Sequence, residues 1–158
     1  MILSTRGRYA VMALVDMAAN SGERPLPLSE IAERQEIPLA YLEQIFAKLR
    51  KAELITSVRG PGGGYFLQRA AADIRISDII SASEEAIKIT RCEGADSCTT
   101  QTIRCLTHDL WDGLGRYIYH YLNNLTLADV CEGKILDKFP QTKNAAENEV
   151  VELELSSA

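Results

Sequence analysis

Residues 54–67 read LITSVRGPGGGYFL. Leu54-Ile55-Thr56-Ser57-Val58 is β-branched and strand-like, Tyr65-Phe66-Leu67 is a returning strand, and Arg59-Gly60-Pro61-Gly62-Gly63-Gly64 lies between them. Two such runs around a glycine-rich turn form a β-hairpin. A phosphate-cradling nucleotide loop is the rival reading. It fits poorly, because no Gly-Lys-Ser/Thr follows and the glycines lead into a strand instead of a helix N-terminus.

The segment before the hairpin gives it meaning. A short helix is expected from about Leu28 to Gln35, with Leu28, Ile31 and Ala32 inward. Glu36-Ile37-Pro38 is a tight turn, and Pro38 is tolerated in the first turn of the next helix. That helix runs from Leu39 to Ala52, with Leu42, Ile45, Phe46 and Leu49 inward at helical spacing. Ala40, Tyr41, Glu43, Gln44, Lys48 and Lys51 occupy its other side. Two short helices joined by a tight turn, the second polar outside and basic at its end, read as a helix-turn-helix. A hairpin directly after it is a wing. The glycines, Gly60 and Gly62 among them, let the wing tip approach a phosphate backbone. Arg59 is suited to a narrow minor groove, where the negative potential is strong.

Further upstream, Ser4 or Thr5 caps a first helix with Val11, Leu14, Val15 and Ala18 as its apolar stripe. Asn20-Ser21-Gly22 stops it, and Arg24-Pro25-Leu26-Pro27 is a connector. Arg6 and Arg8 at its start are read as phosphate contacts, with plain solubility as the alternative.

Downstream, residues 68–76 connect to a helix that begins at Ser77-Asp78 and ends near Glu84 or Glu85. A longer helix from about Leu106 to Asn123 carries Leu110, Trp111, Leu114, Tyr117, Ile118, Tyr121 and Leu122 on one wide face. A winged helix is complete by residue 70, so this face lacks an internal partner and reads as a dimer helix. Thr126 with Asp129 resembles a capping box for a short last helix. From about Lys138 the chain turns polar and acidic, and the tail is expected to be loose. Val150 to Leu155 alternates in the manner of a strand that pairs with a sheet edge.

Between these helices lies Arg91 to His108, RCEGADSCTTQTIRCLTH. It holds three of the four cysteines and one of the two histidines, spaced Cys92-x5-Cys98-x6-Cys105-x2-His108. Its small polar residues build no core, so something other than burial must order it. Thiolates are the soft, anionic ligands that iron–sulfur clusters require. An imidazole leaves such a site one unit less negative and makes ligation pH-sensitive. Arg91 and Arg104 flank the loop and favour thiolates, and Cys105 and His108 share a face at a helix start. Zinc is the main alternative, although no tight Cys-x2-Cys knuckle is present. A thiol redox switch is the third. A catalytic Cys–His pair lacks an orienting group and an oxyanion hole, so a non-enzyme is expected. His120 and Trp111 are read as ordinary helix and core residues.

The totals agree with this picture. A chain of 158 residues with 46% hydrophobic content has enough for one domain, or a small domain plus an extension. No apolar run is long enough to span a membrane, and Asp16 interrupts Ala10–Ala19, which is helix-like rather than a signal peptide. A cytoplasmic protein with reduced thiols is expected, and there clustered cysteines point to metal or redox chemistry rather than disulfides. The net charge of −5 is uneven. Residues 1–70 hold nine Lys/Arg against seven Asp/Glu, whereas residues 71–158 hold eight against fifteen. The basic excess sits with the helix-turn-helix.

Gly7-Arg8-Tyr9-Ala10-Val11, Tyr41-Leu42-Glu43-Gln44, Val58 to Tyr65 and Cys105-Leu106-Thr107-His108 resemble the IscR family of bacterial iron–sulfur cluster regulators. The resemblance covers residues 1–135. It implies a homodimeric transcription factor that binds double-stranded promoter DNA and carries a 2Fe–2S cluster received from the iron–sulfur assembly machinery. Such a regulator represses cluster-assembly genes, its own operon included, when clusters are plentiful, and its cluster-free form acts at a second class of promoters. By the same resemblance the ligands are Cys92, Cys98, Cys105 and His108, Glu43 and Gln44 face bases, and Arg59 enters the minor groove. The interval from Cys98 to Cys105 is one residue longer than in the family pattern, and Ala40 replaces a serine. Cys131 lies outside the pattern and is read as a buried thiol. A sister nitric-oxide regulator uses an aspartate near the N-terminus as a ligand. Arg6 and Arg8 occupy that neighbourhood here and count against that variant.

The expectation is a mostly α fold with a small β-hairpin: a winged helix-turn-helix plus a long dimerisation helix. Residues 1–70 form the DNA-binding domain, residues 71–135 the cluster-binding loop and dimerisation helices, and residues 136–158 a flexible acidic tail.

Overall fold

The structure, a computed structural model, describes residues 4–20, 22, 24–83 and 105–138. Cys92 and Cys98, most of the cluster loop and the expected acidic tail from residue 139 lie outside the described residues. Helix α1 spans Thr5–Asn20. The Gly7 amide donates to Ser4 Oγ at 3.4 Å, which makes Ser4 the capping side chain. The buried line of α1 is Ala10, Ala13, Leu14 and Met17, each fully enclosed. Val11, Val15 and Ala18 flank it, partly buried. The stripe is thus rotated from the one expected. The small Ala10 and Ala13 let neighbouring helices approach closely, which a stripe chosen for bulk overlooks.

Helix α2 (Leu28–Gln35) ends at Glu36, which adopts the left-handed conformation at φ 53°. The Ile37 amide donates back to the Ala32 carbonyl at 3.0 Å, and buried Ile37 fastens the turn. Helix α3 (Leu39–Lys51) starts on the Pro38 carbonyl, which accepts from Tyr41 and Leu42 at 3.0 Å each. Leu42, Ile45, Phe46 and Leu49 are completely buried. Glu53, at φ 57°, closes α3 in the same way as Glu36 closes α2, with the Leu54 amide donating to Leu49 at 3.1 Å.

Strands β1 (Ile55–Val58) and β2 (Gly64–Leu67) pair antiparallel, Ile55 opposite Leu67 and Val58 opposite Gly64. The α1–α2 connector adds a rung, because Leu26 and Tyr65 exchange both backbone hydrogen bonds at 2.9 Å. A Cβ on Gly64 would stand 2.5 Å from the Leu26 backbone, so glycine is what allows the connector this close. Tyr65 also meets Phe46 edge-on at 5.0 Å, which fixes the wing against α3.

A 3-10 turn (Ala71–Asp73) leads to α4 (Ile76–Ser83), and α5 (His108–Asn123), α6 (Leu127–Cys131) and α7 (Ile135–Lys138) complete the described chain. Ile74, Ile79, Ile80 and Leu127 join Leu14, Met17, Leu42 and Phe46 in one continuous core. Residues beyond 70 therefore close the core of the helix-turn-helix. The capping box at α6 forms as expected: Thr126 Oγ1 accepts from the Asp129 amide at 3.2 Å, and Asp129 Oδ2 accepts from the Thr126 amide at 2.8 Å. Hydrogen bonds from Lys138 and from Thr126 hold the Asp129 carboxyl at about 2.

Cys131 differs from its expectation. It is exposed, because α6 is a single short turn that sends Leu127 inward and leaves the position four residues later at the rim. No helix among the described residues is long and apolar enough to cross a membrane.

Candidate nucleic-acid interface

The outward side of α3 carries Ala40, Glu43, Gln44 and Lys48, all exposed. The side chains of Glu43 and Gln44 form no hydrogen bond or ion pair within the described residues, so base-facing groups are not already spent on the fold. Tyr41 is different. Half-buried, its ring meets Tyr9 edge-on at 5.8 Å and packs on the core. That contact brings the first turn of α1 beside the first turn of α3. Arg6 and Arg8 therefore sit near the start of the outward helix, Arg6 partly buried and Arg8 exposed. Lys48, Arg50 and Lys51 crowd the last turn of α3, where cations complement the helix dipole. Arg50 reaches Ser57 Oγ on β1 at 3.4 Å and so links α3 to the wing.

At the wing tip Gly60 and Gly62 take φ values of 107° and 75°, a backbone that side-chain-bearing residues avoid. The Gly63 amide donates to the Gly60 carbonyl at 2.9 Å. A Cβ on Gly63 would meet the Val58 carbonyl oxygen at 2.4 Å. Arg59 is exposed and makes no ion pair within the described residues. The tip is thus a glycine turn that presents one exposed cation, the arrangement expected of a groove probe.

The orientation of α2 against α1 depends on a group the sequence reading passed over. Asp16 is 5% exposed. Its carboxylate accepts from Arg34 Nη2 at 2.6 Å, from Arg34 Nε at 3.0 Å and from Gln35 Nε2 at 2.8 Å. Burial alone would raise this carboxyl. The hydrogen bonds from Arg34 and Gln35 and the guanidinium charge outweigh it and hold the group below its ordinary value. An aspartate inside an apolar stripe was the signal that could have pointed to a buried pair.

Of the four expected cluster ligands, Cys105 and His108 fall among the described residues. Cys105 is exposed, with Sγ 3.6 Å from Thr107 Oγ1. His108 opens α5 and is only 3% exposed. Its amide donates to the Cys105 carbonyl at 3.0 Å, so one turn carries both residues. Leu106 between them is fully exposed. No three metal-ligating side chains converge among the described residues. The fit is therefore one of donor chemistry: an open thiol and a sheltered imidazole on one turn, with two further thiols in the sequence before it, match the N/S donors that a 2Fe–2S cluster accepts.

Beyond this turn, α5 turns Leu110, Trp111, Leu114 and Tyr117 to solvent at 62, 42, 36 and 73% exposure. Of its apolar side chains, Tyr121 and Leu122 in the last turn pack on the described core.

Comparison with known proteins bears on both halves. Residues 3–133 match the Rrf2 family model, described as an iron-dependent transcriptional regulator. The chain is 50% identical over 145 residues to the HTH-type transcriptional regulator IscR of Sodalis glossinidius, covering 91% of this chain and 87% of that protein. It is 50% identical over 130 residues to IscR of Serratia proteamaculans, covering 82% and 79%. Among solved structures, T. potens IscR superposes with a TM-score of 0.69 at 35% identity, covering 93% of this chain and 96% of that one. CymR, the global cysteine regulator of B. subtilis, superposes with a TM-score of 0.70 at 30% identity, covering 84% and 97%. A glycine-tipped wing, an uncommitted outward face on α3 and this extent of likeness lead to one conclusion: the chain belongs to the Rrf2 family, as a winged-helix DNA-binding transcriptional regulator of the IscR type.

Proposed function

We propose that this chain is a homodimeric regulator that senses iron–sulfur cluster status and controls, chiefly by repression, the genes for cluster assembly. Its own residues would hold a 2Fe–2S cluster through Cys92, Cys98, Cys105 and His108. The cluster supplies a labile inorganic group whose presence reports on cluster supply, and the cytoplasmic assembly machinery is its donor. The single observation that carries the reading is the turn that pairs exposed Cys105 with buried His108 at the start of α5. An exposed thiol sits three residues from a buried imidazole.

The chain's residues divide the work. Leu110, Trp111, Leu114 and Tyr117 cover one another across two copies of α5, the burial that each copy alone lacks. Dimerisation then places two α3 helices to enter successive major grooves about 34 Å apart. Ala40, Glu43 and Gln44 meet bases, and Tyr41 holds the first turns of α1 and α3 together. Glu43 contributes selectivity more than affinity, since its carboxylate repels phosphates yet accepts from the cytosine amino group. Arg6 and Arg8 contact phosphates, and Arg59 reaches the minor groove from a turn that Gly60 and Gly62 keep free of side chains.

Purification of the full chain without oxygen tests the reading. The expected sample is red-brown, with iron and sulfide in equal amounts. His108→Ala should lose that colour and change affinity for a target promoter. A colourless protein with stoichiometric zinc would replace this reading with a constitutive zinc-stabilised DNA-binding protein, whose site takes the same donors. A metal-free protein whose affinity follows thiol oxidation would make it a redox switch.

A further inference from the structure

The outward helix opens on Pro38-Leu39-Ala40, three apolar residues in a row, and all three are exposed. Leu39 is 43% exposed, whereas the other leucines of α3, Leu42 and Leu49, are fully buried. A single leucine in solvent is ordinary on a protein surface. A run of three exposed apolar residues is out of pattern unless it has a use.

The run is continuous with the groups that face bases. Leu39 and Glu43 stand four apart, and so do Ala40 and Gln44, so the four side chains occupy neighbouring rows of one helix face. Helical side chains lean toward the N-terminus, which carries Leu39 and Ala40 ahead of Glu43 and Gln44. In a helix-turn-helix it is the N-terminal end of the second helix that meets base edges. Lys48, the next outward cation, is turned aside: its Nζ donates to the main-chain carbonyl of Ser83 at 3.1 Å.

An apolar side chain in the major groove has one good partner. Among the groups that the four bases present there, the C5-methyl of thymine is the apolar one. Pressed against a polar base edge, Leu39 would strip water from a donor or acceptor and return no hydrogen bond, which costs binding.

We infer that Leu39 is a specificity residue: beside the small side chain of Ala40 it seats the C5-methyl of a thymine, and so specifies thymine next to the base pairs that Glu43 and Gln44 read. The inference rests on the reading of α3 as the base-facing helix. It adds an apolar contact to the hydrogen bonds of Glu43 and Gln44.

The test uses the full-length protein at fixed salt and a duplex that the wild type selects from a random pool. Each thymine of the site is replaced singly by deoxyuridine, which removes the C5-methyl and keeps the O4 acceptor and the pairing with adenine. At the thymine seated on Leu39, wild type should lose about fourfold in affinity, the worth of one buried methyl group. Leu39→Ala should bind the thymine and uracil duplexes nearly equally, and Leu39→Met should keep the penalty. Each ratio is taken within one protein, so a smaller folded fraction in a variant cancels. A site with no thymine whose methyl matters to the wild type, or a penalty that Leu39→Ala leaves unchanged, would overturn the inference. Glu43→Ala separates that failure from failure of the reading beneath it. A selected motif that Glu43→Ala does not alter would take α3 off the bases, and Leu39 with it. An altered motif without a methyl effect would remove the thymine seat alone.

Discussion

Helices α3 and α5 carry the same kind of pattern and meet opposite fates. In α3, Leu42, Ile45, Phe46 and Leu49 recur at helical spacing and are wholly enclosed. In α5, Leu110, Trp111, Leu114 and Tyr117 recur just as regularly and remain 36–73% exposed. Periodicity says that a helix has a face to bury. It does not say whether the cover lies in the same chain. For α3 the cover is α1, α4 and the wing through Tyr65. For the first three turns of α5 no described element supplies it.

The sharpest way to break this contrast is to truncate one aromatic on each face. Phe46→Ala removes a fully buried ring and should cost about 3–5 kcal/mol in urea unfolding, at every protein concentration. Trp111→Glu should behave differently. Wild-type stability should rise with protein concentration if copies bind through α5, and the variant should lose that dependence while keeping its monomer fold. A Trp111→Glu midpoint that still climbs with concentration would mean that α5 is covered by something other than a second copy.

A medium effect sharpens the same boundary at the polar level. Arg34→Ala leaves Asp16 buried with Gln35 but without its main partner. The cost should be about 1–3 kcal/mol, less than for a wholly enclosed pair because Arg34 is itself partly in solvent. The folded Asp16 carboxyl loses its proton more readily than the unfolded one, whose ordinary value is 3.8. The pair's contribution is therefore complete above that pH and fades as the pH falls below it. The gap between wild type and Arg34→Ala should hold from neutrality down to pH 4 and close in stronger acid. A gap that is constant through the acid range would remove the ionised pair as its source.

The same contrast explains what could be read in advance. The helix-turn-helix and wing were legible because their signals are local: Pro38 opening α3, four inward residues at helical spacing, and glycines where the turn needs positive φ. The capping box at Thr126 and Asp129 was legible for the same reason. The rotated stripe of α1 was not, because close packing through Ala10 and Ala13 depends on which helix arrives opposite. The bonds from Asp16 to Arg34 and from Lys48 to Ser83 span 18 and 35 positions, and no pattern within a window announces them. Cys131 was misjudged because thiols are usually buried, whereas its depth is set by the brevity of α6. At the proposed cluster site, the sequence announced donor types and spacing. The fold added that His108 is sheltered while Cys105 is open.

The smallest expected effect lies in the turn that sets α3 at its angle. Glu36 holds a left-handed conformation at φ 53°, which costs a side-chain-bearing residue about 1 kcal/mol or more relative to glycine. It is exposed and its side chain makes no hydrogen bond within the described residues, so its removal sacrifices no hydrogen bond among them. Glycine also gives the unfolded chain more freedom, which takes back part of the gain. Glu36→Gly should therefore stabilise the protein by no more than about 1 kcal/mol, read as a small rise in urea midpoint at an unchanged slope. Glu36→Ala keeps the strain and should give no such rise. A loss of stability in Glu36→Gly would show that the Glu36 side chain, and not only the backbone turn, holds α2 and α3 at their angle.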